Sequence, residues 1–163
     1  MSRESRREEA LQALERALRN VSGLGVLHSQ DIAARLGVNS TDLECLGVIA
    51  DGGAVTAGDL AKATGLTSGA ITGVVDRLAR AGFARRERDA ADRRKVFVRA
   101  LPAGLARARP LFEPMRRRME AALNAYSDAE LEFLLHFLDR SLVAARAAIE
   151  ELRALPDPPA PRD

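Results

Sequence analysis

Two stretches of this chain gather side chains that bind phosphates and the edges of nucleobases. The first holds Thr67, Ser68, Gly69, Thr72, Gly73, Arg77 and Arg80. Its hydroxyls donate or accept hydrogen bonds, and each guanidinium presents a planar fork that matches phosphate oxygens or a guanine edge. The second reads Arg85-Arg86-Glu87-Arg88-Asp89-Ala90-Ala91-Asp92-Arg93-Arg94-Lys95. On a hairpin, the basic residues Arg86, Arg88, Arg93 and Arg94 would grip phosphates from the root or enter a narrow minor groove from the tip, where the potential is most negative. Asp92 has the wrong sign for a phosphate, and its expected work is to orient an Arg through a charge-assisted hydrogen bond.

The elements that must hold these residues are legible around them. Thr56 caps a short helix with Asp59 at the matching third position, Leu60 and Ala61 face inward, and Gly65 stops it. Thr67 caps a second helix with an apolar stripe of Ile71, Val74, Val75 and Leu78, ended by Gly82. Two short helices joined by a tight glycine-containing turn form a helix-turn-helix. With Ile71 at the centre of the buried stripe, Gly69, Gly73, Asp76 and Arg80 point outward, flanked by Thr72 and Arg77. Each helical glycine costs about 1 kcal/mol relative to Ala. Folding alone would not place two on a solvent face, so their use is steric: the backbone can approach the floor of a major groove ~12 Å wide. Residues 83–88 and 95–99 then read as strands, the latter alternating with period two, around a polar turn at 89–92. The expected fold is mainly α, a winged helix-turn-helix with a two-stranded β-wing.

The flanking segments are helical. Residues 3–36 repeat Leu11, Leu14, Leu18 and Val21 at helical spacing, with Ser22-Gly23 as a place to kink or split. Thr41-x-x-Glu44 reads as a capping box for a helix to about residue 50, with Leu43, Leu46 and Ile49 inward and Asp51-Gly52-Gly53 at its end. Beyond Pro102 and Gly104, one helix runs to about residue 125, bent early by Pro110 and Pro114. Another opens on the capping box Ser127-Asp128-Ala129-Glu130 and carries Leu131, Leu134, Leu135, Leu138, Leu142 and Ile149 to about residue 155. The organisation expected is an N-terminal helical region over 1–36, the winged helix over 39–101, C-terminal helices over 102–155 and a proline-rich disordered tail over 156–163.

Composition narrows the class. The chain has 163 residues, enough to bury a core without staples, and its 47% hydrophobic content includes 30 Ala and no Trp, a helix-favouring balance. One Cys excludes an intramolecular disulfide framework and suggests a reducing compartment. The N-terminus has no apolar signal region, and no apolar run approaches the ~20 residues of a membrane span, so a cytoplasmic protein with no membrane partner is expected. With one Cys and two His, a zinc cluster is not expected, and no nucleophile elbow, P-loop or dinucleotide fingerprint is present. Hence no cofactor, no metal and no enzymatic activity are expected. Cys45 shares a helix with Leu46 and Ile49 and has no basic neighbour in sequence, which suits a buried small hydrophobe better than a redox sensor. His28 suits packing or exposure better than ligand binding, while Tyr126, Phe112, Phe133 and Phe137 suit a core or the wall of an aromatic-ligand pocket. The net charge of +2 argues, taken alone, against a nucleic-acid partner. Placed along the chain, it argues the reverse: residues 1–55 carry −2, 56–100 carry +5, 101–125 carry +3 and 126–163 carry −4.

Leu60-Ala61, Thr64-Gly65-Leu66-Thr67-Ser68-Gly69-Ala70-Ile71-Thr72, Val75-Asp76-Arg77-Leu78, Ala81-Gly82-Phe83, Arg85-Arg86 and Asp89-Ala90-Ala91-Asp92-Arg93-Arg94 resemble the MarR (multiple antibiotic resistance regulator) family over about residues 41–104. The resemblance implies a sequence-specific DNA-binding transcriptional regulator, a repressor released by a small-molecule effector, aromatic or phenolic in chemistry. It implies a triangular homodimer whose N- and C-terminal helices form the interface and whose two winged helices read a pseudo-palindromic operator in double-stranded DNA. By position, Ser68, Thr72 and Arg77 fall on the recognition helix, and Asp92 and Arg94 on the wing's Asp-x-Arg motif, its Arg in the minor groove. Two departures stand out. Ala100-Leu101 replaces the usual Leu-Thr before the next helix, and Gly73 stands where many members carry a polar or basic side chain. Two other readings of the same residues are a winged helix that binds protein instead of specific DNA, and a regulator that senses oxidants through Cys45.

Overall fold

The computed structural model describes residues 2–89, 92 and 95–156. Its elements are α1 (Arg3–Leu36), α2 (Ser40–Gly52), β1 (Val55–Thr56), α3 (Ala57–Thr64), α4 (Ser68–Arg80), β2 (Ala84–Arg88), β3 (Val96–Ala100), α5 (Pro102–Leu123) and α6 (Asp128–Ala154). They divide into two compact units, Met1–Pro114 and Met115–Asp163.

Local chemistry accounts for most of the helix ends in the first unit. Ser2 caps α1, which runs unbroken through Ser22-Gly23 and ends at Gly37, a glycine in the left-handed region at φ 71°. The capping box of α2 is Asn39 with Asp42, not the expected Thr41 with Glu44. Thr56 and Asp59 close the expected box on α3, and Thr67 caps α4. The sheet has a third strand absent from the sequence reading: its order is β1-β3-β2, all antiparallel, with Val55 opposite Val98 and Arg86 opposite Val98 on the other side. Two residues are too short a run for a period-two pattern to show. Their pairing with β3 ties the root of the wing to the start of α3.

The core of this unit is one cluster. Leu43, Cys45, Leu46 and Ile49 of α2 meet Leu60 of α3 and the expected stripe Ile71, Val74, Val75 and Leu78 of α4, with Phe83, Ala84 and Val98 closing it from the sheet side. From α1 only the C-terminal Ile32, Ala33 and Leu36 join. Gly104 lets α5 begin hard against the turn after α4. A Cβ there would lie 2.5 Å from the Gly82 carbonyl oxygen and 2.8 Å from the Phe83 Cα. One turn on, the Arg107 guanidinium stacks 4.8 Å from the Phe83 ring centroid and donates to the Ala81 carbonyl at 3.2 Å.

In the second unit, Ser127 and Glu130 form the expected capping box of α6. None of the residues of α6 is buried, and Phe133, Leu135, Leu138, Leu142, Val143 and Ile149 are all exposed. Pro110 and Pro114 lie inside α5. The expected tail falls, from residue 157 onward, outside the described residues.

Candidate nucleic-acid interface

The turn between α3 and α4 is fastened by its own side chains. Thr64 Oγ1 donates to the Leu60 carbonyl at 2.7 Å and accepts from the Leu66 amide at 3.4 Å. Gly65, at φ 67°, donates its amide to the Ala61 carbonyl at 2.8 Å. This conformation favours glycine. The turn delivers Thr67, whose Oγ1 accepts from the Ala70 amide at 3.3 Å and starts α4.

Once α4 buries Ile71, Val74, Val75 and Leu78, its opposite face carries the expected residues. Thr67, Ser68, Gly69, Thr72 and Arg80 are exposed, while Gly73, Asp76 and Arg77 are half-buried. Thr72 Oγ1 donates to the Ser68 carbonyl at 3.1 Å, which orients its lone pairs. Arg80 Nε donates to the Asp76 carbonyl at 3.3 Å. A Cβ on Gly69 would meet nothing within 4 Å, so no internal packing asks for glycine there.

Two of the expected cations are engaged within the protein. Arg77 presents Nε and Nη2 to the Asp42 carboxylate, at 2.9 and 2.7 Å for the shorter contacts. Asp42 is fully buried, whereas the Arg77 side chain is 41% exposed. The hydrogen bonds that Arg77 donates to this carboxylate raise its pKa above the ordinary value. Arg86 of β2 pairs with Asp76 of α4, and its Nη2 approaches the Thr72 carbonyl at 3.5 Å. Asp76 and Arg77 therefore lead in two directions, one to the wing strand and the other to α2. Asp42 was missed in the sequence reading. Its signal was an acid in helical phase with Leu46 and Ile49, where a carboxylate needs a buried partner.

At the far end of the hairpin, the Asp89 amide donates to the Lys95 carbonyl at 3.0 Å. The Asp92 amide donates to Asp89 Oδ1 at 2.7 Å, and the Lys95 amide to the Asp92 carbonyl at 2.9 Å. Arg88 is exposed on β2. Arg93 and Arg94, and with them the expected pairing of Asp92 with an Arg, lie outside the described residues.

The remaining candidates sort by burial. Cys45 is inaccessible, and burial first, then the charges of Asp42 and Glu44, push its thiol up from its ordinary value. That opposes thiolate formation and so opposes oxidant sensing. The His28 ring meets the Phe112 ring edge-on with centroids 6.2 Å apart. Among the described residues, no group of three or more His, Cys, Asp or Glu could hold a metal ion, and no helix is long and apolar enough to cross a membrane. Within the first unit an apolar groove of about 540 Å³ lies between α2 and α5, walled by Leu43, Leu46 and Ala50 on one side and by Leu105, Arg109 and Phe112 on the other.

Two short helices, a half-exposed second helix and a three-stranded wing define a winged helix-turn-helix protein. A family model described as MarR family matches residues 36–95. An uncharacterized HTH-type transcriptional regulator of Bacillus subtilis (strain 168), YcgE, is 33% identical over 94% of this chain and 99% of its own length. The HTH-type transcriptional repressor YetL of the same organism is 32% identical over 49% of this chain and 48% of its own. Streptococcus pneumoniae FabT, solved in complex with DNA, shares the fold with a TM-score of 0.62 at 19% identity, covering 87% of this chain and 99% of that one. The chain belongs to the MarR family and is a winged-helix transcriptional regulator of the helix-turn-helix type.

Proposed function

We propose that this chain is a cytoplasmic transcriptional repressor that binds a pseudo-palindromic operator as a homodimer and is released by a small aromatic or phenolic effector. The observation that carries the reading is the exposed face of α4. Thr67, Ser68, Gly69 and Thr72 turn outward there beside Arg80, on a helix whose other face is fully committed to the core. Side chains this small let the helix backbone approach base edges closely, with hydroxyls as the hydrogen-bonding groups. Arg88 and Arg93 grip phosphates, and Arg94, oriented by Asp92, enters the minor groove. The structure of FabT with DNA and the description of YetL as a repressor support the same reading.

The exposed apolar residues Leu11, Leu14 and Val21 of α1 and Leu138, Leu142 and Ile149 of α6 support the dimer. A two-fold dimer sets its half-sites about one helical turn apart, ~34–36 Å. The α2–α5 groove is of a size that fits a small aromatic ligand. Arg109 at its wall suits a phenolate or carboxylate substituent. Such an effector weakens operator binding only by its differential affinity for the bound and released arrangements.

Selection of bound duplexes from a random pool, followed by titration across a salt series, tests the reading. Enrichment of an inverted repeat, with an affinity that falls steeply as salt rises, is expected. No binding at ~50 mM salt would end it.

A further inference from the structure

We infer that Asp42 is a positioning residue for the recognition helix, and that Arg77 serves the DNA interface through Asp42 instead of by touching DNA. The inference rests on the reading of α4 as the DNA-facing helix. Its ground is the geometry of one carboxylate. Asp42 is fully buried, yet both oxygens are engaged by three donors: Oδ1 accepts from Arg77 Nη2 at 2.7 Å, Oδ2 accepts from the Asn39 amide at 3.3 Å, and Arg77 Nε is shared between them at 3.1 and 2.9 Å. The same residue is the third position of the α2 capping box, so the start of α2 and the last turn of α4 share one anion. A fork-to-carboxylate pair fixes a plane as well as a distance, which a single point charge cannot do. It therefore sets the rotation of α4 about its own axis, the variable that decides which side chains face a groove.

A second observation agrees. A Cβ on Gly73 would lie 3.3 Å from Arg77 Nη1. The guanidinium thus lies over its own helix one turn back, with two nitrogens on Asp42 and the third against Gly73. A glycine that weakens the helix gains a physical use, as room for the clamp. This assigns Gly73 a role different from backbone approach to the groove floor, which Gly69, with open space around it, serves alone.

The test uses the full chain and a duplex selected as above, with affinity measured from low to high salt. Removing the negative charge of Asp42 near a DNA-binding face would by itself strengthen binding. Positioning has the opposite sign, so Asp42→Asn should weaken binding by about tenfold or more, a shift no phosphate-contact role for Arg77 produces. Arg77→Lys keeps the cation and loses the fork, and should fall by a similar factor with an unchanged slope of log affinity against log salt. Where Asp42→Asn is unfolded by circular dichroism, the double variant Asp42→Asn/Arg77→Gln replaces it, with lower affinity and an unchanged slope expected. Unchanged or tighter binding by Asp42→Asn overturns the inference. So does a slope reduced by about one in the double variant, the mark of a lost phosphate contact. A wild-type chain that binds no duplex at any salt concentration overturns the functional reading itself, a result separable from variants that bind like wild type.

Discussion

The winged helix and α6 make opposite use of similar apolar content. In the first, every large residue of the α4 stripe is buried against α2, α3 and the sheet, and Phe83 is wholly inaccessible. In the second, Phe133 is 70% exposed and Val143 69%, on a helix with a well-formed capping box and no buried residue. Good local chemistry is thus present in both, but among the described residues only the winged helix buries its apolar stripe fully, whereas α6 leaves Leu131, Leu134 and Phe137 half-buried and its other large apolar residues exposed. Most of α1 before its last turns behaves likewise, with Leu11, Leu14, Val21 and Leu24 exposed. Helical propensity and caps make a helix, whereas a stable helix in water also needs its apolar face covered. Among the described residues the winged helix covers its own apolar stripe, while α6 and much of α1 leave theirs exposed.

The sharpest way to break this contrast is Phe83→Ala. Removing a ring at the centre of the core should cost about 3–5 kcal/mol and unfold the winged helix in a thermal or denaturant melt. A small loss would mean that the core does not depend on that ring. Next comes Leu138→Glu with Leu142→Glu on α6. In light scattering the pair should convert a dimer to a monomer that keeps its helical circular dichroism, and operator affinity should fall by about 100-fold as the second half-site is lost. A dimer that survives would move the interface elsewhere. Arg94→Ala should spare the dimer and weaken operator binding by roughly tenfold in a fluorescence titration. An unchanged affinity removes the minor-groove contact. The smallest effect belongs to the caps. Thr56→Ala should cost about 1 kcal/mol in a melt.

Acid should reveal the same caps. Hydrogen bonds from the Thr56 amide and hydroxyl hold the Asp59 carboxyl below its usual range, and those from Ser127 do the same for Glu130. A carboxyl depressed by folding stabilises above its unfolded value, and that contribution fades as pH falls through the folded one. Melting temperature should therefore drop below the ordinary carboxylate range. Asp59→Asn should flatten part of that drop, and an unaltered acid profile would deny the cap its ionic character.

Much of the first unit was legible because it rests on local rules. The caps at Thr56 and Thr67, the stop at Gly65 and the stripe from Ile71 to Leu78 each have a short-range cause visible in residue type and spacing, as does the Ser127 cap in the second unit. What escaped was set by distant partners. Asn39 and Thr41 are both capable caps, and the choice of Asn39 brings Asp42 to the third position, where Arg77 across 35 residues also binds it. A helical wheel gave Arg77 its direction about α4 but not the acid across from it. Similarly, β1 exists only because β3 pairs with its two residues. Arg86 was assigned to phosphates from its charge, while its place on β2 brings it against Asp76.

Gly69 has a consequence for how such a regulator can change. Nothing surrounds the space its side chain would occupy. Replacing it with Ala should stabilise α4 by about 1 kcal/mol, because glycine is the poorer helix former. The position therefore separates folding from recognition: larger side chains can be tried there with no penalty inside the protein, and their whole effect falls on the partner. Under the proposed reading of α4, a lineage could retarget its operators through that single codon, with the helix gaining stability when the glycine is first replaced.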